Sequence, residues 1–392
     1  MPDAPPPVRL VAGVMSGTSL DGVDVALARL AGSGPGMDIE LVAFSSIPYR
    51  ADLRDLLLAN SAPESSSVRD LSQLNVRLAH VYADAIRTAL ERVELTPEDL
   101  DLVGLHGQTV QHVPDAEDCA GAPTRSTLQI GDGSTLANLL GVPVVGDFRM
   151  ADMALGGQGA PLVPYFDYVF FGDPAENRAL LNIGGIANVT ILPAGAPPAG
   201  VFAFDTGPGN MLIDALAQRF FHRAFDLDGR IAASGAVVQD VLDVLLADPY
   251  LARIPPKSTG REYYGQAFVD WLVAEAGPAC RREDLVATVT AYTAASVADA
   301  MERIVAPRHA IDAVIASGGG VRNPVLMDAL TERLAPVRVY TTDQYGLDAD
   351  AKEALCFAVL GHETMQRVPT GMPGVTGASK PAIAGKICLP SR

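Results

Sequence analysis

A chain of 392 residues, 48% hydrophobic and 19% charged, is globular rather than disordered and long enough to need two cores. Its net charge of −17 excludes nucleic acid as a main partner and an anionic membrane surface as a docking site, since both need concentrated Lys and Arg. The cysteines Cys119, Cys280, Cys356 and Cys388 lie far apart with no C-x-x-C pair, and the histidines form no H-E-x-x-H or H-x-x-E-H cluster, so reduced thiols in a cytoplasmic protein and no built-in metal site are expected.

Residues 1–7 are Pro-rich, without the basic start and apolar run of a signal peptide, and are expected to be a frayed tail; no later stretch has the length and apolarity to span a bilayer. Residues 9–15 form an apolar strand that enters the turn Ser16-Gly17-Thr18-Ser19-Leu20-Asp21-Gly22 and returns as a strand over 23–30. A third strand at 37–47 completes an antiparallel meander. Residues 67–93 have the period of an amphipathic helix, with Leu71, Leu74, Val76, Leu78, Val81 and Ile86 among the apolar positions. A short buried strand at 102–105 ends at His106-Gly107-Gln108-Thr109, followed by a helix at 134–140 and a strand at 142–145.

The run Gly156-Gly157-Gln158-Gly159-Ala160-Pro161 marks a junction, after which the opening pattern repeats. Strands at 179–183, 187–192 and 201–205 surround a Gly184-Gly185 turn, and helices follow at 211–219, 265–275 and 283–305. A strand at 313–317 runs into Gly318-Gly319-Gly320, then a helix at 324–334, a strand at 338–341 and a last helix at 350–365. The repetition predicts an α/β protein made of two copies of one unit, an N-terminal lobe over 1–160 and a C-terminal lobe over 161–392, with a small-molecule cleft between them.

A phosphate-gripping turn needs exposed backbone N–H groups, glycines that admit the oxygens, and hydroxyl donors. The segment Gly17-Thr18-Ser19-Leu20-Asp21-Gly22 has all three, though it also reads as an ordinary hairpin turn. Its aspartates cannot bind phosphate but can hold Mg²⁺ or its waters. Gly184 and Gly185 form the matching turn of the second half, so that two turns can clamp a polyphosphate. Against Gly318, Gly319 and Gly320 a flat adenine or ribose can lie, unless the run is only a tight loop before a helix. Asp205 sits at a strand end before Gly207 and Gly209, a position that suits a general base and equally a cap or turn aspartate. Glu353 opens the last helix, where it can assist at a sugar or merely complement the helix dipole. Arg149 can grip a carboxylate or phosphate, His106 and Gln108 can bond sugar hydroxyls, and all three also read as structural loop residues. The segment Lys257-Ser258-Thr259-Gly260-Arg261-Glu262 is a polar loop, solvated or able to close over an anion. No Walker A motif and no G-x-G-x-x-G fingerprint is present.

These motifs resemble, in order and almost from end to end, those of anhydro-N-acetylmuramic acid kinases. The resemblance is carried by residues 14–24, by Leu105-His106-Gly107-Gln108-Thr109, by residues 156–164 and by Asn182-Ile183-Gly184-Gly185. It continues through Phe204-Asp205-Thr206-Gly207-Pro208-Gly209-Asn210, residues 257–262, the triple glycine and Val375-Thr376-Gly377-Ala378. The Pro-rich tail and the stretch around Cys119 to Pro123 are peripheral to it. The resemblance implies a two-lobed actin/Hsp70/hexokinase-like fold with duplicated mixed-sheet domains around a nucleotide cleft. It implies a bacterial enzyme of cell-wall recycling that uses ATP and water to turn 1,6-anhydro-N-acetylmuramic acid into N-acetylmuramic acid 6-phosphate. Family members are commonly homodimers, and Mg²⁺ is expected with the nucleotide rather than in a dedicated protein site. By this likeness ATP is contacted by Gly17, Thr18, Ser19, Leu20, Asp21, Gly22, Val23 and Asp24, Asp205 is catalytic, Glu353 lies near the sugar, and Asn210 joins His106, Gln108 and Arg149 as a candidate substrate contact. The rival expectations are a conventional hexose or amino-sugar kinase, and an actin- or Hsp70-like ATPase with no sugar acceptor.

Overall fold

Three strands, β1 (Arg9–Ser16), β2 (Gly22–Ala31) and β3 (Asp38–Pro48), form the opening antiparallel meander, with Gly13 opposite Ala26 and Met15 opposite Asp24. The computed structural model describes residues 6–17, 20–62 and 64–391. β4 (Leu102–Cys119) runs parallel to β1, and β6 (Val144–Gly146) runs parallel to β4. The strand Lys386–Cys388 pairs antiparallel with β6, giving the order of that edge strand, then β6, β4, β1, β2 and β3.

β4 is far longer than the sequence predicts. Its first half, to Val110, is largely buried; its second half is exposed and pairs with β5 (Ala122–Ile130) as a hairpin turning at Ala120 and Gly121. A hairpin that buries little carries no alternating apolar pattern, so periodicity does not reveal it. The helix Val68–Glu91 is capped by Ser67, whose hydroxyl accepts the Asp70 N–H at 3.3 Å. It buries Leu74, Leu78, Tyr82, Ile86 and Leu90, whose four-residue spacing makes one face.

A second sheet is made of β7 (Arg178–Ile183), β8 (Ile186–Leu192) and β9 (Phe202–Pro208) as an antiparallel meander, with β10 (Ala313–Ser317) parallel to β7 and β11 (Arg338–Thr341) parallel to β10. Its order, β11-β10-β7-β8-β9, repeats the β6-β4-β1-β2-β3 part of the first sheet: fifth, fourth, first, second, third. Both sheets therefore have the duplicated mixed topology of the actin/Hsp70/hexokinase type. The helix Arg282–Ala300 is buried on nearly all sides, from Leu285 to Val297, which explains its weak amphipathic pattern.

The chain divides into two compact units, Met1–Phe170 with Asp350–Arg392, and Phe171–Ala349. The division differs from the expected boundary at residue 160, chiefly because the last helix, Lys352–Met365, packs on β1, β2 and β4 of the first unit. Two strand glycines permit that packing. A Cβ on Gly13 would stand 1.9 Å from the Ala354 carbonyl oxygen, and one on Gly104 would stand 1.9 Å from that of Phe357. Substituting Gly13 by Ala forces helix backbone away from sheet backbone and should cost about 2–3 kcal/mol. Thermal unfolding of Gly13→Ala should begin several degrees early, and an unchanged transition would contradict this packing.

Candidate active site

β1, β4 and β6 run in one direction, so their carboxyl ends share one edge of the first sheet. At that edge lies the turn from Gly17 to Asp21, of which Thr18 and Ser19 fall outside the described residues. Leu20 is buried at φ 54°, and its N–H donates to the Gly17 carbonyl at 3.3 Å. The Asp21 carbonyl accepts the Tyr49 N–H at 3.0 Å, and the Leu20 carbonyl accepts Arg54 Nε at 3.1 Å. The turn is thus pinned on its carbonyl side.

Gln108, at 0% exposure, completes the brace. Its Oε1 accepts the Ser16 hydroxyl at 2.5 Å, and its Nε2 donates to the Gly17 carbonyl at 3.1 Å. Ser16 Oγ lies 2.5 Å from the Tyr49 hydroxyl. Gln108 therefore serves the turn in this structure, where the sequence also allows it a sugar hydroxyl. Gly22 lets β2 approach β3: a Cβ there would stand 2.3 Å from the Ile47 carbonyl oxygen. Val23 is buried, and Asp24 lies opposite Ser46. Burial pushes the Asp24 carboxyl up, the Ser46 hydrogen bond opposes this, and the like charges of Asp21 and Asp350 add to it.

His106 and Arg149 form a second group at the same edge. Arg149 Nη2 lies 2.8 Å from His106 Nε2, Nε donates to the same atom at 3.3 Å, and Nη1 donates to the Gly159 carbonyl at 2.8 Å. His106 Nδ1 is 2.7 Å from the Gly107 carbonyl. That geometry requires a neutral ring protonated on Nδ1, with its lone pair toward Arg149. Burial, and then the Arg149 charge, push the His106 ring down to about 3. His106 thus orients Arg149, whose cation rests on neutral acceptors. Glu353 stands exposed on the first turn of the last helix; desolvation and then the Asp24 charge push its carboxyl up, with Lys352 and Arg149 opposing. Its neighbour Lys352 pairs with the buried Asp167 at 2.7 Å. Glu353 therefore belongs to the unit that carries the first turn.

In the second sheet, β7, β9 and β10 end together in the same way. The carbonyls of the Gly184-Gly185 turn accept the N–H groups of Gly209, Asn210 and Met211 at 2.8, 2.8 and 3.0 Å. This seats the helix Met211–Phe221 on the turn, and Asn210 Nδ2 reaches the Ile183 carbonyl at 3.3 Å. Gly318, at φ 84°, and Gly320 both lie hard against Ile183, where a Cβ would stand 2.7 Å from its carbonyl oxygen and 2.3 Å from its Cγ2 respectively. Gly319 differs: the nearest atom to a Cβ there is Asn210 Nδ2 at 3.8 Å. Its face is the open one.

Asp205 is expected at a strand end, but β9 runs on through Thr206 and Gly207 to Pro208, so it lies in mid-strand beside a shift of register, where it is held at three points. Its Oδ2 accepts the Thr259 N–H at 2.9 Å, its carbonyl accepts the Tyr250 hydroxyl at 2.9 Å, and its N–H donates to the Lys257 carbonyl at 3.3 Å. Among the described residues Oδ1 has no hydrogen-bond partner, so one carboxylate oxygen stays available. Burial pushes this carboxyl above the usual range, while the Thr259 N–H and the Lys257 charge oppose it and Glu262 adds to it. The loop over 257–262, which sequence reads as solvated or as an anion lid, instead buries Lys257 beneath Asp205's strand. The bonds from Thr259 and Tyr250 to Asp205 are absent from the sequence expectation; the only signal is that residues 257–262 belong to the set of resembling motifs.

Among the described residues no group of three or more His, Cys, Asp or Glu is arranged to hold a metal, and no helix is long and apolar enough to cross a membrane.

A family model described as anhydro-N-acetylmuramic acid kinase matches residues 9–390. A protein of that name from Salinibacter ruber is 54% identical over 383 residues, covering 97% of this chain and 96% of its own. Another from Caldanaerobacter subterraneus subsp. tengcongensis is 43% identical, covering 97% of each chain, and one from Bacillus cereus is 41% identical, covering 97% of this chain and 99% of its own. With an N-terminal turn braced from beneath, a carboxylate fixed within β9 and a match that runs nearly the whole length, the chain belongs to the anhydro-N-acetylmuramic acid kinase family.

Proposed function

We propose that the chain uses ATP and water to open 1,6-anhydro-N-acetylmuramic acid and phosphorylate O6, giving N-acetylmuramic acid 6-phosphate and ADP, a step in recycling cell-wall peptidoglycan. The observation that carries the chemistry is Asp205, fixed through Oδ2 and open at Oδ1. In a conventional sugar kinase an aspartate takes the proton of the acceptor hydroxyl. In an anhydro sugar O6 is bonded to C1 and has no proton to give. Asp205 instead takes a proton from water as that water attacks C1. The C1–O6 bond breaks, its electron pair stays on O6, and O6 takes the γ-phosphoryl group while ADP leaves. The attack resembles that of an inverting glycosidase, with the phosphoryl group in place of the general acid's proton.

The phosphates are proposed to be held by the first turn, in which the carbonyls of Gly17, Leu20 and Asp21 are pinned by Gln108, Arg54 and Tyr49. Gly184 and Gly185 offer the second unit's turn, although their carbonyls already seat a helix, and Gly319 offers a bare face for adenine or ribose. Mg²⁺ would arrive with the nucleotide and neutralise phosphate charge. Asp21 and Asp24 are the carboxylates suited to its waters, and the mutual repulsion that raises Asp24 is what a cation would relieve. Arg149, Glu353 and Asn210 remain the proposed sugar contacts, with His106 holding Arg149.

Asp205→Asn should keep ATP binding and lose turnover by roughly 100- to 10,000-fold. Near-normal turnover would remove Asp205 as the base. A base works only when ionised, and burial raises Asp205, so activity should fall as pH drops through a value above the ordinary carboxylate 3.8; an acid limb at or below that value would contradict the reading. In heavy-oxygen water the label should appear at C1 of the product, and N-acetylmuramic acid with a free 6-hydroxyl should be a poor acceptor. Label absent from C1, or efficient use of the free sugar, would favour a conventional sugar kinase; ATP hydrolysis indifferent to any sugar would favour an actin- or Hsp70-like ATPase.

A further inference from the structure

Lys257 is a buried cation that the proposed reaction does not use. It is 6% exposed, and its ammonium makes one long hydrogen bond, to the Leu251 carbonyl at 3.4 Å. That carbonyl already accepts Arg303 Nη2 at 2.7 Å. The ammonium otherwise lies over two rings, 4.7 Å from the centroid of Tyr250 and 5.8 Å from that of Phe204. No carboxylate lies within ion-pair distance of it among the described residues. A buried ammonium so poorly bonded is costly, and a hydrophobic residue would pack there at less expense.

Its neighbours explain the position. Phe204 precedes Asp205 in β9, and Tyr250 donates its hydroxyl to the Asp205 carbonyl. The segment from Asp248 to Tyr264 forms a strap closed on itself by one carboxylate. Asp248 accepts the hydroxyls of Tyr263 at 2.6 Å, Tyr264 at 2.9 Å and Tyr292 at 3.3 Å, and the Tyr250 N–H at 2.9 Å. The strap then touches Asp205 through Thr259 and the Lys257 carbonyl.

We infer that Lys257 is the positioning residue for Asp205: it anchors the strap that fixes the carboxylate, and its uncompensated charge keeps that carboxylate ionised for attack by water. This rests on Asp205 being the base. The charged and titratable groups around the pair are Glu262 and Tyr250 beside Asp205, and Arg253, Asp299 and Arg303 beside Lys257. Asp299 is already bound to Arg303 by two hydrogen bonds, so it does not cancel the Lys257 charge. Lys257 favours the ionised form of Asp205 and Glu262 disfavours it, which fixes the sign of each substitution.

The test is the pH dependence of kcat/KM with saturating ATP. In Lys257→Met the acid limb should move up by about half a pH unit or more, and Lys257→Arg should return it toward the parent position. Glu262→Gln, an exposed change, should move it down. A role in folding alone would lower activity at every pH without moving the limb. The inference is overturned by a limb that stays in place in Lys257→Met, or in Lys257→Gln if the Met protein does not fold, or by an upward shift in Glu262→Gln. An active Asp205→Asn would overturn the base itself, an outcome separate from these.

Discussion

Because β1, β4 and β6 run parallel, they deliver the Gly17 turn, the His106–Gln108 segment and Arg149 to one edge of one sheet. Parallel pairing of β7 with β10, and the return of β9 in the same sense, does this for Gly184, Asp205 and Gly318 in the other. Residues separated by about ninety positions in the chain meet there because strand direction leaves them nowhere else to go. Ligand sites outside the carboxyl ends of parallel strands are the general outcome of such sheets. A turn there has backbone groups no ladder has claimed, so its chemistry depends on which of them the fold uses internally. In the first turn the carbonyls of Gly17, Leu20 and Asp21 are taken by Gln108, Arg54 and Tyr49. In the second turn they hold a helix start. The two turns are topological equivalents braced by different means.

Close backbone approach is the second constraint. Gly13 and Gly104 give up strand side chains so that the last helix can lie directly on β1 and β4. This brings the final segment back into the first unit and puts Glu353 in the same unit as Asp24 and Arg149. Gly318 and Gly320 play the same part against Ile183, and only Gly319 keeps its face clear. In a run of three glycines, two serve packing and one keeps its face open.

What could be read from the sequence was local. Strand, turn and strand around Gly17 and around Gly184 are written in contiguous residues, and so is the placement of Asp205 on a strand, though the strand continues past it to Pro208. The triple glycine is equally plain, though not the division of labour within it. What could not be read depends on partners distant in the chain. The bonds that Gln108 makes to Ser16 and Gly17, and the N–H that Thr259 of an otherwise largely exposed loop gives to Asp205, join residues far apart in the chain. The membership of the last helix follows from two isolated glycines that, in a strand, signal only that something comes near. The exposed half of β4 with β5 buries too little to leave a pattern at all.

The working range of a carboxylate base follows from opposed forces of similar size. Full burial without partners would leave Asp205 protonated and useless as a base at neutral pH. Full solvation, or a direct ion pair, would leave it ionised but too weak to draw a proton from water. The structure takes neither course. Desolvation raises the group, a neutral N–H from Thr259 steadies one oxygen without satisfying the other, and the charge of Lys257, which rests over the Tyr250 and Phe204 rings, opposes the rise without an ion pair. A contacting lysine would have occupied the oxygen that the proposed reaction assigns to water. At one remove, the same charge favours the ionised carboxylate without forming an ion pair with it.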